Sequence, residues 1–333
     1  MRTLPGPVSD AAVAIVVVNW NSGTLLERCL AAVSAQTRAP RRVLVVDNGS
    51  TDGSERAARE RLGVELLALG TNLGFAAANN RGIARAGDCD WVALLNPDAF
   101  PEPGWLEALV RAAVGDPRFA LLASRQVLAD DPSRLDGTGD VYTVAGLAWR
   151  RHHGQAAAGT DLDPKEVFSP CAAAALYRRD AVIEAGGFDE SFFCYFEDVD
   201  LAFRLRLAGH RCLYVPDAVV RHLGSAASGR RSPFSVYHGH RNLVWTYWKN
   251  MPAALLAVYW PQHLALNLGS LLWIALRGQG GTILRAKRDA LFALPRVLRE
   301  RRRVQAARKV RARDLRRVML GGLRAFGLGR NRP

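Results

Sequence analysis

Three clusters of polar side chains each follow directly on an apolar run. Asn19-Trp20-Asn21 follows VAIVVV (13–18), Asp47-Asn48-Gly49-Ser50 follows RVLVV (42–46), and Asn96-Pro97-Asp98 follows WVALL (91–95). Amides and carboxylates in such positions can hydrogen-bond a base or a ribose. A carboxylate there can also hold a divalent cation on a diphosphate, because hard cations take carboxylate together with phosphate oxygens. Asn, Asp and Gly also make turns for purely local reasons. Turn-making accounts for Asn21, Asn48 and Gly49 as readily as a ligand does, which leaves Asp47 and Asp98 as the stronger functional candidates. No GxGxxG follows the first run and no GxxxxGK[ST] occurs anywhere, which disfavours a dinucleotide or ATP phosphate cradle.

A second constellation is GGFDESFFCYFEDVDLAFRLRLAGH (186–210). Its pattern predicts a helix from Glu197 to about Gly209, with Glu197, Asp198 and Asp200 in the first turn. Acids complement the dipole there, which is a sufficient account of Asp200. It is a weaker account of Asp198 beside Phe192, Phe193, Tyr195 and Phe196. Apolar walls raise a carboxylate's pKa and make it a better base, so Asp198 is the candidate general base. His222, just after a predicted strand in VVRHLGSAAS, is a candidate partner for Asp98. His152, His153, His210, His238, His240 and His263 are read as non-ligands.

The elements that must position these residues alternate. The three runs above, with VELLAL (64–69) and FALLA (119–123), are apolar on both faces, as buried parallel strands are. Between them, Thr24-x-x-Glu27 and Asp52-x-x-Glu55 have the capping-box pattern, and Leu26, Cys29, Leu30 and Val33 follow helical spacing. Alternation of this kind predicts an α/β fold with a parallel sheet covered by helices. The carboxyl ends of its strands share one edge, where ligands bind. From about Leu128 to Glu166 the periodicity fails and we expect loops with an irregular hairpin. Order returns with CAAAALYRRDAVIEAGGF, and a further strand is expected near Leu213–Val215. No internal repeat is visible.

The 333 residues are 49% hydrophobic and 23% charged, a globular composition that excludes wholesale disorder, collagen and coiled coil. The net charge of +14 is uneven: Arg277–Pro333 holds 18 Lys+Arg against 3 Asp+Glu, and the residues before it sum to −1. Five scattered cysteines without a CxxC fit a reducing cytoplasm and neither a disulfide framework nor a zinc site. The first apolar run has no cleavage-site pattern, so no signal peptide is expected.

Taken together, the segments VVVNWNS (16–22), VVDNGSTDGS (45–54), NLGFAAANNRGI (72–83), LLNPDA (94–99), GGFDESFFCYFEDVDLAFRL (186–205), HLGSAAS (222–228) and YHGHRN (237–242) are similar to family 2 glycosyltransferases, especially their bacterial rhamnosyltransferase-like branch. The resemblance covers roughly residues 12–245. It implies the GT-A (Rossmann-like) fold, a mostly parallel sheet flanked by helices. It also implies a nucleotide-sugar donor, a divalent cation (Mg²⁺ or Mn²⁺) and inversion at the anomeric carbon. Carried onto this chain, Asp47 matches the nucleobase contact, and Asn19, Asn21, Asn48, Ser50 and Asp52 border the nucleotide. Gly74, Phe75, Asn79 and Asn80 match the next donor-side segment. Asp98 matches the metal-binding carboxylate, with Asn96 at the other DxD position; Asp198 of the Glu197-Asp198 pair matches the general base, and His222 the second metal ligand. Two departures stand out: Asn96 replaces the first DxD carboxylate, and Cys171-Ala172 stands where relatives often have Gly-Ala. One carboxylate and one His leave most metal positions to phosphate and water, which predicts weak metal binding without nucleotide.

On this reading residues 1–245 are the catalytic domain and residues 246–333 a helical extension at the membrane surface. Residues 250–276 carry no charge over 27 positions, enough to cross a bilayer, but Pro252, Pro261, Gln262, His263 and Asn267 interrupt them. A nucleotide-sugar site and a basic tail both belong on the cytoplasmic side, and a single span would separate them. An interfacial or re-entrant segment is expected instead, on a protein peripheral to the inner face of the cell membrane. Leu294, Val297, Leu298, Val304, Val310, Leu315, Val318 and Met319 amid arginines suggest an amphipathic helix on anionic lipid. Nucleic acid is not an expected partner, since no recognition module accompanies the charge. The acceptor class is then a lipid-linked or cell-envelope glycan. dTDP-L-rhamnose is the first-choice donor, with UDP-, GDP- and other dTDP-sugars open. Two other readings are a catalytically inactive glycosyltransferase-like scaffold at the membrane and a glycoside hydrolase working with two carboxylates. The hydrolase leaves Asp47 and Asp98 unexplained.

Overall fold

The computed structural model describes residues 11–224, 232–322 and 326. Strands β1 (Val13–Asn19), β2 (Arg42–Asp47), β3 (Val64–Ala68) and β4 (Trp91–Leu95) form a parallel unit in the order β3-β2-β1-β4. They are joined through α1 (Leu25–Ser34), the single turn α2 (Arg56–Arg59) and α3 (Phe75–Arg85). Beyond β4 come β5 (Ala99–Pro101), α4 (Trp105–Gly115), β6 (Phe119–Leu128), β7 (Leu135–Gly137), β8 (Asp140–Tyr142), β9 (Ala148–Arg150), β10 (Lys165–Val167), β11 (Ala174–Arg178) and α5 (Arg179–Glu184). A 3₁₀ turn (Glu190–Phe192), α6 (Glu197–Leu207) and β12 (Arg211–His222) complete the sheet domain.

The five apolar runs are all strands, but the fifth does not continue the parallel order. β11 inserts between β4 and β6, antiparallel to both, and β12 then runs parallel to β6. The sheet is mixed, and the half built from β1–β4 is the purely parallel one. Strand alternation sends side chains to opposite faces. Val13, Ile15 and Val17 pack with Leu26 and Leu30 of α1 and Trp105 and Leu109 of α4. Ala14, Val16 and Val18 pack with Ala76 and Ile83 of α3 and Leu201 and Leu205 of α6. Burial on both faces explains why these strands read as unbroken apolar runs.

Neither capping box forms. Thr24 precedes α1 but its side chain caps nothing. Asp52 accepts from the backbone N–H of Ser54 (3.0 Å) and from that of Gly23 (2.8 Å), tying the β1 and β2 loops together. The carboxylate is committed across the sheet edge rather than to a helix start.

The chain continues through α7 (Pro233–Asn250), α8 (Ala253–Ile274), a π-helical turn (Ala275–Gln279), α9 (Gly280–Phe292), α10 (Leu294–Ala306) and α11 (Ala312–Arg317). Position 245 lies inside α7, which packs on α6, α9 and α10 alike. The extension therefore grows out of the sheet domain without a break at the expected boundary. α8 runs through Pro261, and among the described residues no helix is long and apolar enough to cross a membrane. Much of the apolar side of the basic tail faces inward: Val297, Leu315 and Met319 are buried, and Val304, Val310 and Val318 pack with residues of α6 and α7, whereas Leu298 is exposed, as are Leu284, Leu291 and Phe292. An exposed apolar stripe also lies on α8, at Trp260, Leu264, Leu268 and Leu272, one face of a helix at four-residue spacing. Arg324, Arg330 and Arg332 of the tail lie outside the described residues.

Candidate active site

The first two clusters interlock at the carboxyl edge of β1 and β2. Asn19 is fully buried and its Nδ2 lies within hydrogen-bond distance of Asp47 Oδ1 (2.9 Å), Ser54 Oγ (2.9 Å) and Ser50 Oγ (3.1 Å). Asp47 Oδ2 also accepts from the Ser50 N–H (3.2 Å). Each carboxylate oxygen has a second acceptor position, so Asp47 can still receive a donor from a base. Asn21 adopts φ +47° and its Oδ1 accepts from Thr51 N (2.8 Å). Asn48 donates to Asn72 Oδ1 (2.9 Å) and accepts from Leu73 N (2.8 Å). The role of Asn19, Asn21 and Asn48 here is to set the loops around Asp47.

The segment expected to follow on the donor side begins at Gly74, where φ is +88° and a Cβ would sit 2.6 Å from the Phe193 ring. Only glycine fits that conformation and that approach. Behind it, Asn79 is buried and donates to Phe75 O (2.9 Å). Asn80 donates to Phe188 O (2.9 Å) and accepts from Phe188 N (2.8 Å). Asn80 positions α3 against the 188–193 loop, while Asn79 bonds back within α3 itself, structural duties that sequence resemblance does not separate from ligand contact.

The third cluster meets His222 through strand pairing. β12 runs antiparallel to β5 with His222 opposite Ala99, next to Asp98. His222 Nε2 lies 3.3 Å from Asp98 Oδ1, and its Nδ1 is 2.7 Å from Asp136 Oδ2. All three side chains are buried. Burial would raise Asp98, but contact with His222 and the charge of Arg150 hold it below the ordinary carboxylate range. Burial likewise opposes charge on His222, and its two carboxylate partners reverse that and raise it. Nε2 of His222 is buried without a hydrogen-bond partner. A ring fixed by a carboxylate at one nitrogen, with the other aimed at a second carboxylate, is the arrangement of a metal-ligating histidine. Asp98 and His222 fit a divalent cation that draws its other ligands from a diphosphate and water. Among the described residues no group of three such side chains forms a complete metal site. Asn96 is half-buried beside them, and its carbonyl accepts from Ala99 N (3.1 Å).

Asp198 stands at the start of α6, accepting from Val199 N (2.8 Å) and Ala172 N (3.2 Å). Asp140 and Arg150, from neighbouring strands of the β8–β9 hairpin, both act on it electrostatically. Burial, and then the charge of Asp198, push Asp140 up to about 7. Burial also raises Asp198, opposed by its two backbone N–H donors and Arg150. The two buried carboxylates are both raised and titrate as a pair, and Asp198 is the member whose charged form is favoured by two backbone N–H donors and Arg150. Glu197 is buried with Oε2 unpartnered, and burial followed by Asp198 raises it strongly. Asp200 has a different role: it pairs with Lys249 (2.8 Å) and Arg204 (2.9 Å) and locks α6 to α7.

The turn before Asp198 is strained. Phe193, Tyr195 and Phe196 all have φ between +65° and +69°, a region that bulky residues enter only when surrounding structure imposes it. The imposing group is Asn242: its Nδ2 lies 2.7 Å from Tyr195 O, 2.9 Å from Cys194 O and 3.0 Å from Phe192 O. His238 stacks on Phe193 at 5.4 Å. This is the structural use of the YHGHRN segment.

Four contributors were not singled out from the sequence: Asp136, Asp140, Arg150 and Asn242. Three of them come from 128–166, where short β-strands leave too few residues to show a period. Their signal was chemical, acids and an arginine in an otherwise loop-like stretch.

With this geometry in view, the family described as "Glycosyl transferase family 2" matches residues 14–186. The N-acetylglucosaminyl-diphospho-decaprenol L-rhamnosyltransferase of Mycobacterium tuberculosis (strain ATCC 25618 / H37Rv) is 37% identical over 260 residues, 70% of this chain and 82% of that protein. The O-antigen chain rhamnosyltransferase RfbN of Salmonella typhimurium is 26% identical over 212 residues, 63% of this chain and 66% of that one. Among solved structures, GalNAc-T7 with UDP, GalNAc and Mn²⁺ superposes with a TM-score of 0.62 at 16% identity, over 78% of this chain and 51% of that one. This chain thus spans about half the length of that structure, and the shared fold is GT-A.

Proposed function

The chain belongs to glycosyltransferase family 2, and we propose that it moves L-rhamnose from dTDP-L-rhamnose, with inversion, to a hydroxyl of a lipid-linked or cell-envelope glycan acceptor. The observation that carries this reading is the buried Asp98–His222 pair at the sheet edge, one strand end away from the Asp47 knot. A hydrolase has no use for a base pocket and a diphosphate site on the same edge. The rhamnosyl donor and the lipid-linked acceptor follow the printed names of the relatives.

In this mechanism Asp47 accepts a hydrogen bond from the base, and the loops fixed by Asn19, Asn21, Asn48, Ser50 and Asp52 cradle the nucleotide. Asp98 and His222 would hold the Mg²⁺ or Mn²⁺, and a bound cation supplies positive charge against the departing diphosphate. Asp198 removes the acceptor proton as its oxygen attacks the anomeric carbon, a contribution of typically 10²–10⁴-fold. The N–H groups of Val199 and Ala172 and the charge of Arg150 favour the charged form of Asp198 beside Asp140. A single in-line displacement inverts the centre.

We further propose that the helical extension rests on the inner face of the cell membrane. The exposed stripe Trp260, Leu264, Leu268 and Leu272 would meet the apolar layer, and the arginines of α9 and α10 anionic headgroups.

The test is thermal stability with Mn²⁺ and a panel of dTDP, UDP, GDP and ADP, each with and without chelator. A ligand at about a hundredfold its Kd adds roughly 2.7 kcal/mol, several degrees for a chain of this size. A chelator-sensitive shift selective for dTDP is expected. A flat panel overturns the donor reading, and a larger shift with UDP or GDP reassigns the nucleotide.

A further inference from the structure

A cleft of about 600 Å³ opens between α7, the end of α8 and the π-helical turn that follows it. Its apolar wall includes Leu147, Phe196, Leu243 and Trp273, and its polar groups include His240 and Arg277. Two of these tie it to the chemistry. Phe196 lies two residues before Asp198, and Leu147 is in the turn of the β8–β9 hairpin whose strands carry Asp140 and Arg150. The elements that frame the base therefore also frame the cleft.

Its charged lining side chain is Arg277, while His240, pushed down to about 4 by burial and then by Lys287, is neutral and offers its ring as a hydrogen-bonding group. Arg277 lies 4.0 Å over the Trp273 ring at the corner where Arg277 and Gly278 leave helical geometry and the chain turns from α8 into α9. Behind His240, Lys287 donates to the His240 carbonyl (3.3 Å) and to Asn267 Oδ1, and among the described residues no carboxylate pairs with it. Burial pushes Lys287 down to about 7, where an arriving anion would draw a proton onto it. The mouth is apolar: Leu272, Trp273 and Leu276 are exposed, continuing the stripe of α8.

We propose that this cleft binds the lipid diphosphate of the acceptor, with the diphosphate at Arg277 and His240 and the first part of the lipid chain along Leu243 and Trp273. The acceptor sugar then extends past Phe196 to Asp198, and the rest of the chain leaves over the apolar stripe. This rests on the glycosyltransferase reading above. It adds what that reading lacks, a location for the acceptor's lipid end that is separate from the nucleotide site.

The test is binding of farnesyl diphosphate to the full chain in the presence of chelator, followed by tryptophan fluorescence, against farnesol and inorganic pyrophosphate. Arg277→Glu and Trp273→Ser, both at exposed positions, are measured in parallel. Farnesyl diphosphate should bind saturably and at least tenfold tighter than either fragment, and Arg277→Glu should lose at least tenfold. In transfer assays both variants should raise the acceptor KM and leave the donor KM unchanged. Farnesol binding as well as the diphosphate, pyrophosphate binding as well as the lipid, or wild-type binding by both variants overturns the proposal. The dTDP–Mn²⁺ stability shift, read on the same preparations, separates the two failures. A normal shift with no farnesyl diphosphate binding removes the cleft and leaves the transferase. Farnesyl diphosphate binding with no dTDP shift removes the donor reading and leaves the cleft.

Discussion

Asp136 Oδ2 lies 2.7 Å from Nδ1 of His222, so the ring is fixed by a buried carboxylate on the side away from Asp98. Arg150 and His153 contact the same Asp136 carboxylate and keep it ionised against its burial. An imidazole held this way presents Nε2 toward Asp98 in a single orientation.

Replacing Asp136 with Asn should therefore weaken the metal without removing a ligand. The Mn²⁺ concentration for half-maximal transfer should rise about 10–100-fold, while saturating Mn²⁺ restores most of the rate. Titrating Mn²⁺ at fixed donor checks this; an unchanged midpoint would separate Asp136 from the metal site.

Asp198→Asn removes the proton acceptor and leaves its shape. Transfer should fall by roughly 10²–10⁴-fold, with the dTDP–Mn²⁺ stability shift intact. A variant that keeps full activity would sink the assignment of the base.

The pH profile follows from the Asp140–Asp198 pair. Transfer needs Asp198 ionised, and burial raises it, so activity is lost as pH falls through a range above that of an ordinary carboxylate. Asp140, pushed to about 7 first by burial and then by Asp198, adds a negative neighbour as it ionises. Asp140→Asn removes that neighbour and should move the acid limb of kcat to lower pH. A limb that stays in place, or moves up, contradicts the pairing.

Asn242→Ala should release the strained 193–196 turn. Displacing a catalytic group by about 1 Å costs on the order of 10²-fold, so kcat should drop by that order with donor KM unchanged. Asn242→Asp should be worse, since a carboxylate repels the three carbonyls that the amide now bonds. If both variants lose only thermal stability and keep kcat, Asn242 is a fold residue and nothing more.

The parallel half of the sheet was legible because β1 and β4 are buried along their whole length and β2 over most of it, and so had to be apolar, while the edge strand β3 is only half-buried and admits Glu65. β11 was not assigned a place: its sequence, AALYR, is as apolar as its neighbours and carries no mark of direction. The capping boxes failed for a related reason, since Asp52 had a tertiary partner in Gly23 N–H that competes with any local one. Val297, Leu315 and Met319 were grouped with Leu298 on a lipid-facing side because periodicity gives the apolar side of a helix but not what covers it; the first three are buried and Leu298 is exposed.

What the sequence determined by itself is the set of chemical groups at the strand ends: Asp47, Asp98 and the acids opening α6 are fixed by short-range order. Only the tertiary structure decided which groups meet. β12 returns beside β5 and brings His222 to Asp98 across more than a hundred residues. The β8–β9 hairpin delivers Asp140 and Arg150 to Asp198, and α7 brings Asn242 under the turn that holds it. These contacts depend on strand order and helix packing, which arise from long-range burial and leave no periodic trace in the residues they join.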